Sequence, residues 1–371
     1  MTVNFPDPQA LREHIMLLAG LSVILALITL YNIKHNSTEY GERFVPLFGM
    51  SYLFVFSLLM TPLMNFIFLR SDLQRNLTYI GSVMFRVFLI SAVYYPLLLI
   101  AHRFLRKRYH PSLTAVLWQL PSVIYVPNLI LNSNLKTSGI QFAISRNLFN
   151  AFFAVWLCGF VFCMGKKIIE HNALKRRIQN DCMEADEHMM EIYRKEIRYL
   201  RHQSEPPVYI SSAVRTPLSI RGILFGTDNI ILPVKDYSDD ELQLIFRHEL
   251  IHIQRQDIGA KFMMAVIQSF LWFVPGIRET SRAASEDIEL SCDQAVILDL
   301  DEEQKQNYAY LILHTAGDEK GFTSCLSASG ESLKYRLLNL YQIRNRYGTV
   351  LIAVCLFLIL VISVLFTVTI V

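Results

Sequence analysis

The sequence predicts a mainly α protein: a multi-pass membrane helical bundle joined to a cytoplasmic α+β domain. Three observations point there. Hydrophobic residues make up 53% of the 371 residues and charged residues only 18%. The apolar residues gather in runs approaching or exceeding the roughly 20 that a helix needs to cross a bilayer. One long polar stretch, from about 165 to 348, separates the last two runs and carries strand and helix signals of its own.

Six candidate spans cover roughly 14–33, 44–69, 78–101, 114–132, 142–164 and 349–371. The first is too long for a cleavable signal, and Asp7, Arg12 and Glu13 precede it in place of a basic stretch. Pro121 and Pro127 interrupt the fourth, a break that neighbouring helices can tolerate. The last is uncharged from Val350 to Val371.

Basic residues mark the cytoplasmic side of a membrane protein. Arg103, Arg106, Lys107 and Arg108 lie after the third span; Lys166, Lys167, Lys175, Arg176 and Arg177 follow the fifth; Lys334, Arg336, Arg344 and Arg346 precede the sixth. With six spans all three clusters fall on one side, and both termini face outside. The chain then divides into a membrane domain over 1–164 with about five spans, a charged helical linker over 165–205, a cytoplasmic domain over 206–348 and a C-terminal transmembrane helix over 349–371. The mixed charge of the linker reads as a solvated helix continuing the fifth span.

A net charge of +3 over this length gives no reason to expect direct nucleic-acid binding. The six cysteines form no CxxC pair, so neither a disulfide framework nor a cysteine zinc site is indicated.

Inside the polar domain, Pro207–Ile210, Ser219–Arg221 and Asn229–Leu232 read as strands, with Gly222, Gly226 and Thr227-Asp228-Asn229 as turn signals. Ser238-Asp239-Asp240-Glu241 then has the form of a capping box with acids in the first turn. The helix it starts carries His248-Glu249-Leu250-Ile251-His252.

Positions i and i+4 share a helix face, so His248 and His252 can aim two imidazoles at one metal ion. Glu249 beside them is placed to serve as a base toward a metal-bound water. Zinc takes nitrogen or sulfur ligands in a roughly tetrahedral set, a catalytic site keeps one position open for water, and HExxH is the minimal pattern that meets these needs. A third ligand is needed. The next helix, about 279–300, offers Glu286, Glu289 and Asp293 at i, i+3 and i+7, and periodicity alone does not choose among them. The apolar run Phe262–Pro275 is too short to span. A span there would also put the acidic helix across the membrane from the histidines. It is expected either in the interface or as a core helix.

These residues carry a resemblance. His248-Glu249-Leu250-Ile251-His252-Ile253-Gln254-Arg255-Gln256-Asp257 resembles the HELxHxxRxD signature of the M56 family, the BlaR1/MecR1-type antirepressor peptidases of bacterial β-lactam sensing. Glu286-Asp287-Ile288-Glu289-Leu290-Ser291-Cys292-Asp293 is similar to that family's acidic element, and Leu333-Lys334-Tyr335-Arg336 also fits its pattern. The resemblance implies a gluzincin-like zinc metallopeptidase domain with one Zn2+ per chain. His248, His252 and Glu289 would be the ligands and Glu249 the catalytic base. Asp293, Arg255 and Asp257 would support the ligands from behind. It also implies a bacterial plasma membrane, and a protein substrate that is a transcriptional repressor or the chain itself.

The family's receptors carry a penicillin-binding sensor after their last span, and this sequence reaches Val371 without one. Ser133-Asn134-Leu135-Lys136 matches the SxxK motif of such sensors, but its short loop leaves no room for that fold. A separate sensor protein, the outer loops or the bilayer are the expected sources of a signal. The alternative expectation is a non-catalytic membrane transducer with a structural zinc site.

Overall fold

A computed structural model describes residues 73–121, 140–202, 204–221, 227–314, 330–342 and 348–370, with Gly20, Val23, Ile24 and Leu27 near the N terminus. Nearly all of the first two expected spans, and Ser133-Asn134-Leu135-Lys136, lie outside the described residues.

Helix α1 runs Leu73–Arg108 and contains the expected third span; α2 is the short Pro111–Leu117. Strand β1 (Ile140–Ile144) leads into α3 (Arg146–Asp181), and β2 is Met183–Glu184. Next come α4 (Glu187–Leu200), β3 (Val208–Ser211), β4 (Leu218–Ile220) and β5 (Asn229–Pro233). The remaining helices are α5 (Asp239–Gln254), α6 (Asp257–Phe270), α7 (Ile277–Val296), α8 (Glu302–His314), α9 (Gly330–Leu340) and α10 (Thr349–Leu365), before a last strand β6 (Phe366–Ile370).

Two of these helices, over Val87–Arg108 and Arg146–Asp181, are long and apolar enough to cross a membrane. The other expected spans need correction where they are described. The start of the fourth is the seven-residue α2, every residue of it buried. The sixth is helical only to Leu365, because Phe366–Ile370 pairs in parallel with β1. Its Thr-Val-Thr-Ile run is β-branched and loses side-chain freedom in a helix. The fifth span and the start of the charged linker form one continuous helix, α3, as expected.

The second half of the linker is not a solvated helix. Along α4, Ile192, Tyr193, Glu196 and Leu200 are buried. Tyr193 packs on Phe246 of α5 with ring centroids 5.2 Å apart, and Arg247 donates from Nε to Glu196 Oε2 at 2.9 Å. The charges at 196 and 247 neutralise each other inside the core, so the stretch belongs to the domain that follows.

Four strands form a sheet in the order β2-β3-β5-β4. The β3–β5 pair is parallel and the β4–β5 pair antiparallel, with Leu218 opposite Ile231. The three strands read from the sequence are β3, β4 and β5. The apolar run at 262–275 turns out to be mostly core helix: Met263, Met264, Ile267 and Phe270 of α6 are buried.

Two cores result. One gathers Leu98 of α1, Leu113 of α2, Trp156 of α3, Met264 of α6 and Ile352 of α10. The other gathers Tyr193 of α4, Ile230 of β5, Phe246 and Leu250 of α5, and Tyr308 of α8. Helix α7 serves both, giving Ala284 and Ile288 to the first and Cys292 and Val296 to the second.

Candidate metal centre

The HExxH helix begins where the sequence placed it. The Ser238 side chain accepts from the Glu241 backbone N–H, and the Glu241 carboxylate accepts from the Ser238 N–H at 2.9 Å. Three acids in the first turn complement the helix dipole. Eleven of its sixteen residues are buried, among them His248, Glu249 and His252.

His248 and His252 face each other with Nε2 atoms 3.0 Å apart. Each ring is held by its other nitrogen: His248 Nδ1 lies 2.7 Å from the Tyr308 hydroxyl, and His252 Nδ1 lies 2.7 Å from Asp257 Oδ2. Both Nε2 atoms are thereby aimed at one point. This outer-shell arrangement fixes the tautomer and orientation of metal-binding histidines.

Across from them stands Glu289 of α7. Its Oε1 is 3.5 Å from His252 Nε2, and its Oε2 is 3.7 Å from His248 Nε2. Four ligand atoms about 2 Å from a tetrahedral zinc stand about 3.3 Å apart. The three contacts of 3.0, 3.5 and 3.7 Å bracket that edge. Glu289 Oε2 is buried, accepts no hydrogen bond from the described residues and has Arg336 Nη1 3.6 Å away, so it keeps room for a metal ion on the histidine side. The donor set therefore fits zinc.

Charge supports the same reading. Burial would raise the Glu289 carboxyl, but Lys261, 2.7 Å from Oε1, and His252 hold it well below the usual carboxylate range. Burial pulls His248 down, and the Cys292 and Glu289 side chains outweigh it to bring the imidazole to about 9. A metal ion needs both imidazoles neutral at Nε2, so its binding competes with protons there.

The three acids that periodicity left open are now separated in space. Glu289 faces the histidines. Glu286 lies on another face, bonded to Arg106. Asp293 is fully buried and accepts from Arg336 Nε at 2.7 Å and from the Tyr308 hydroxyl at 2.7 Å. It thus stands one step behind His248. Arg255, at the C-terminal cap of α5, lies 3.4 Å from Asp257 Oδ2 and 2.9 Å from Ser291 Oγ. Gln256 between them takes a left-handed backbone with φ 57°, and this sharp turn brings Asp257 back against His252.

Glu249 is fully buried, and its Oε2 accepts from Ser219 Oγ of β4 at 2.6 Å. That contact orients the carboxylate and ties the HExxH helix to the last strand of the four-stranded sheet.

Several participants were invisible to motif spacing: Tyr308, Lys261, Ser219 and Cys292, and the role of Arg336. Cys292 is the nearest competitor for a metal. It is fully buried, and one ligand atom each from His248, His252 and Cys292 all lie within 4.8 Å of one another. Glu289 is the better third donor, because Cys292 Sγ approaches His248 on its Nδ1 side, at 3.7 Å, and bonds the His248 carbonyl. The Glu289 oxygens lie on the Nε2 side.

Comparison with known proteins identifies the family. The family model described as BlaR1 peptidase M56 matches residues 136–340. The chain is 28% identical over 218 residues to the regulatory protein BlaR1 of Bacillus licheniformis, covering 57% of this chain and 34% of that protein. It is 24% identical over 200 residues to the methicillin resistance mecR1 proteins of Staphylococcus aureus and Staphylococcus epidermidis, covering 50% of this chain and 30% of each of those. The chain spans about a third of the length of these curated relatives.

Proposed function

The chain belongs to the BlaR1 peptidase M56 family, and from that premise we propose that it is a membrane-embedded zinc endopeptidase of bacterial signal transduction. The observation that carries this is the convergence of His248 Nε2, His252 Nε2 and the Glu289 carboxylate beside a buried Glu249.

In this reading His248, His252 and Glu289 hold one Zn2+. When bound, the zinc supplies Lewis acidity to the scissile carbonyl and lowers the pKa of a bound water. Glu249 takes the proton of the attacking water and returns it to the leaving amine. Ser219, by donating to Glu249 Oε2, fixes the orientation of the carboxylate that takes that proton. Tyr308 and Asp257 hold the two imidazoles, and Arg336 and Asp293 hold Tyr308. A substrate segment adds as an extended strand beside β4, where its backbone runs along the HExxH helix.

The substrate class is a cytoplasmic regulator, such as a transcriptional repressor, or the chain itself. The relatives are named as regulatory and resistance proteins, which supports a role in signalling. The two long apolar helices support a membrane location. The basic cluster at the end of α1 supports a cytoplasmic side for the zinc domain that follows it. The division into a membrane domain over 1–164 and a catalytic domain over 206–348 is retained, with α4 added to the latter. A separate sensor protein remains part of this reading.

Cys292 favours a second reading. A fourth protein donor beside His248, His252 and Glu289 would close the coordination shell, as in a non-catalytic transducer with structural zinc. The buried Glu249 argues for the first reading, since a closed site has no work for a base.

Mass spectrometry of new N-termini separates the two. Membranes expressing the wild type or Glu249→Gln are compared, with a candidate repressor present. The peptidase reading expects fragments with the wild type alone, while Glu249→Gln retains zinc. Cleavage by Glu249→Gln at the wild-type rate would overturn the mechanism.

A further inference from the structure

The segment that follows α1 reaches the back of the metal centre by two routes. Arg106, in the last turn of α1, is buried against α7. Its Nε donates to Asp287 Oδ1 at 2.5 Å, both terminal nitrogens lie 3.2 Å from Glu286 Oε2, and Nη2 donates to the Ala283 carbonyl at 3.1 Å. Trp118, just past α2, donates from Nε1 to Asp287 Oδ2 at 2.6 Å. The fully buried Asp287 is thus gripped on both oxygens, one from each end of the same short segment.

The second route runs through hydroxyls. Ser112 Oγ of α2 lies 3.0 Å from Ser291 Oγ of α7. Arg255 Nη2 donates to that same Ser291 Oγ, Arg255 Nε lies 3.4 Å from Asp257 Oδ2, and Asp257 Oδ2 meets His252 Nδ1. All five side chains are buried, with exposures of 5% or less.

Helical geometry makes the arrangement two-sided. Asp287 and Ser291 are four residues apart and share one face of α7, whereas Glu289, two residues from each, projects from the opposite side. The segment grips one face, and the histidines meet the other.

We propose that Arg106 and Ser112 are positioning residues for the metal centre: Arg106 sets Glu289 through Asp287 on α7, and Ser112 sets His252 through Ser291, Arg255 and Asp257. The proposal rests on the metal-site reading above. It makes an apolar helix long enough to cross a membrane the mechanical support of two zinc ligands, so a shift of α1 along its axis changes the ligand geometry.

The test measures Zn2+ affinity of the purified full chain in detergent, by competition with a chromophoric chelator. The variants are Arg106→Gln, Arg106→Lys and Ser112→Ala, with the exposed neighbour Arg108→Gln as control. Unfolding midpoints are recorded in parallel. Loss of an outer-shell partner typically weakens metal binding by about 10–100-fold. The expected result is a loss of about tenfold for Arg106→Gln, partial recovery for Arg106→Lys, a smaller loss for Ser112→Ala and none for Arg108→Gln. A merely structural role would lower the midpoint and leave the affinity of the folded protein unchanged, and that result overturns the proposal. If Arg106→Gln does not fold, Ser112→Ala decides: weakened binding supports the relay and wild-type affinity overturns it. A wild type that binds no zinc would instead sink the metal-site reading beneath it.

Discussion

Helices α3 and α5 solve opposite problems. The 36 residues of α3 bury only Trp156, His171, Leu174 and Ile178, while Val155, Val161 and Phe162 stay exposed. The 16 residues of α5 bury eleven, including Arg247, His248, Glu249 and His252. The more apolar helix is the one left uncovered by the described residues, and the more polar helix is the one enclosed. The difference shows what each interior is for. Along α3 the length and apolar character suit a bilayer. Along α5 every buried charge has a named partner, because an unpaired one in that place would cost several kcal/mol.

The sharpest way to break this contrast is to remove a partner from the enclosed side. Glu196→Ala leaves Arg247 buried without its carboxylate, so the full chain should lose about 3–5 kcal/mol of stability, measured by chemical unfolding in detergent. A loss below about 1 kcal/mol would mean the pair is solvated, as exposed pairs are.

On the other side, Val161→Asp puts a charge on the uncovered face of α3. Within a bilayer this should disfavour insertion by about 2.5–3.5 kcal/mol, read as the membrane-inserted fraction in cells. In water the same change would lie within about 0.5 kcal/mol, and an unchanged fraction would return α3 to the aqueous side. The smallest effect belongs to the start of α5. Ser238→Ala removes the cap and should cost about 1 kcal/mol in the same unfolding assay, with the metal site unaffected.

How much of this was legible beforehand follows the same division. The HExxH pair, its capping box and the acidic helix are local features, and each appears where spacing put it. The choice among Glu286, Glu289 and Asp293 was not legible from periodicity, because it depends on which face of α7 meets α5. The family resemblance pointed to Glu289, and the geometry favours it. Tyr308, Lys261 and Ser219 come from elements separated by loops in the chain, so no spacing rule could have joined them to the histidines. Hydropathy misread two places for one physical reason: it scores a residue without its neighbours. The fourth apolar run begins as a buried seven-residue helix, and the sixth leaves its helix at Leu365 to pair with β1. Charge misled along α4, where Glu196 is a core residue.

The central claim, an open peptidase zinc site, is tested most directly by X-ray absorption at the zinc edge of the purified, zinc-loaded full chain. The account predicts two nitrogen ligands at about 2.0–2.1 Å, oxygen ligands from Glu289 and a water, and no sulfur. A sulfur ligand at about 2.3 Å with no water would place Cys292 in the coordination shell and contradict it.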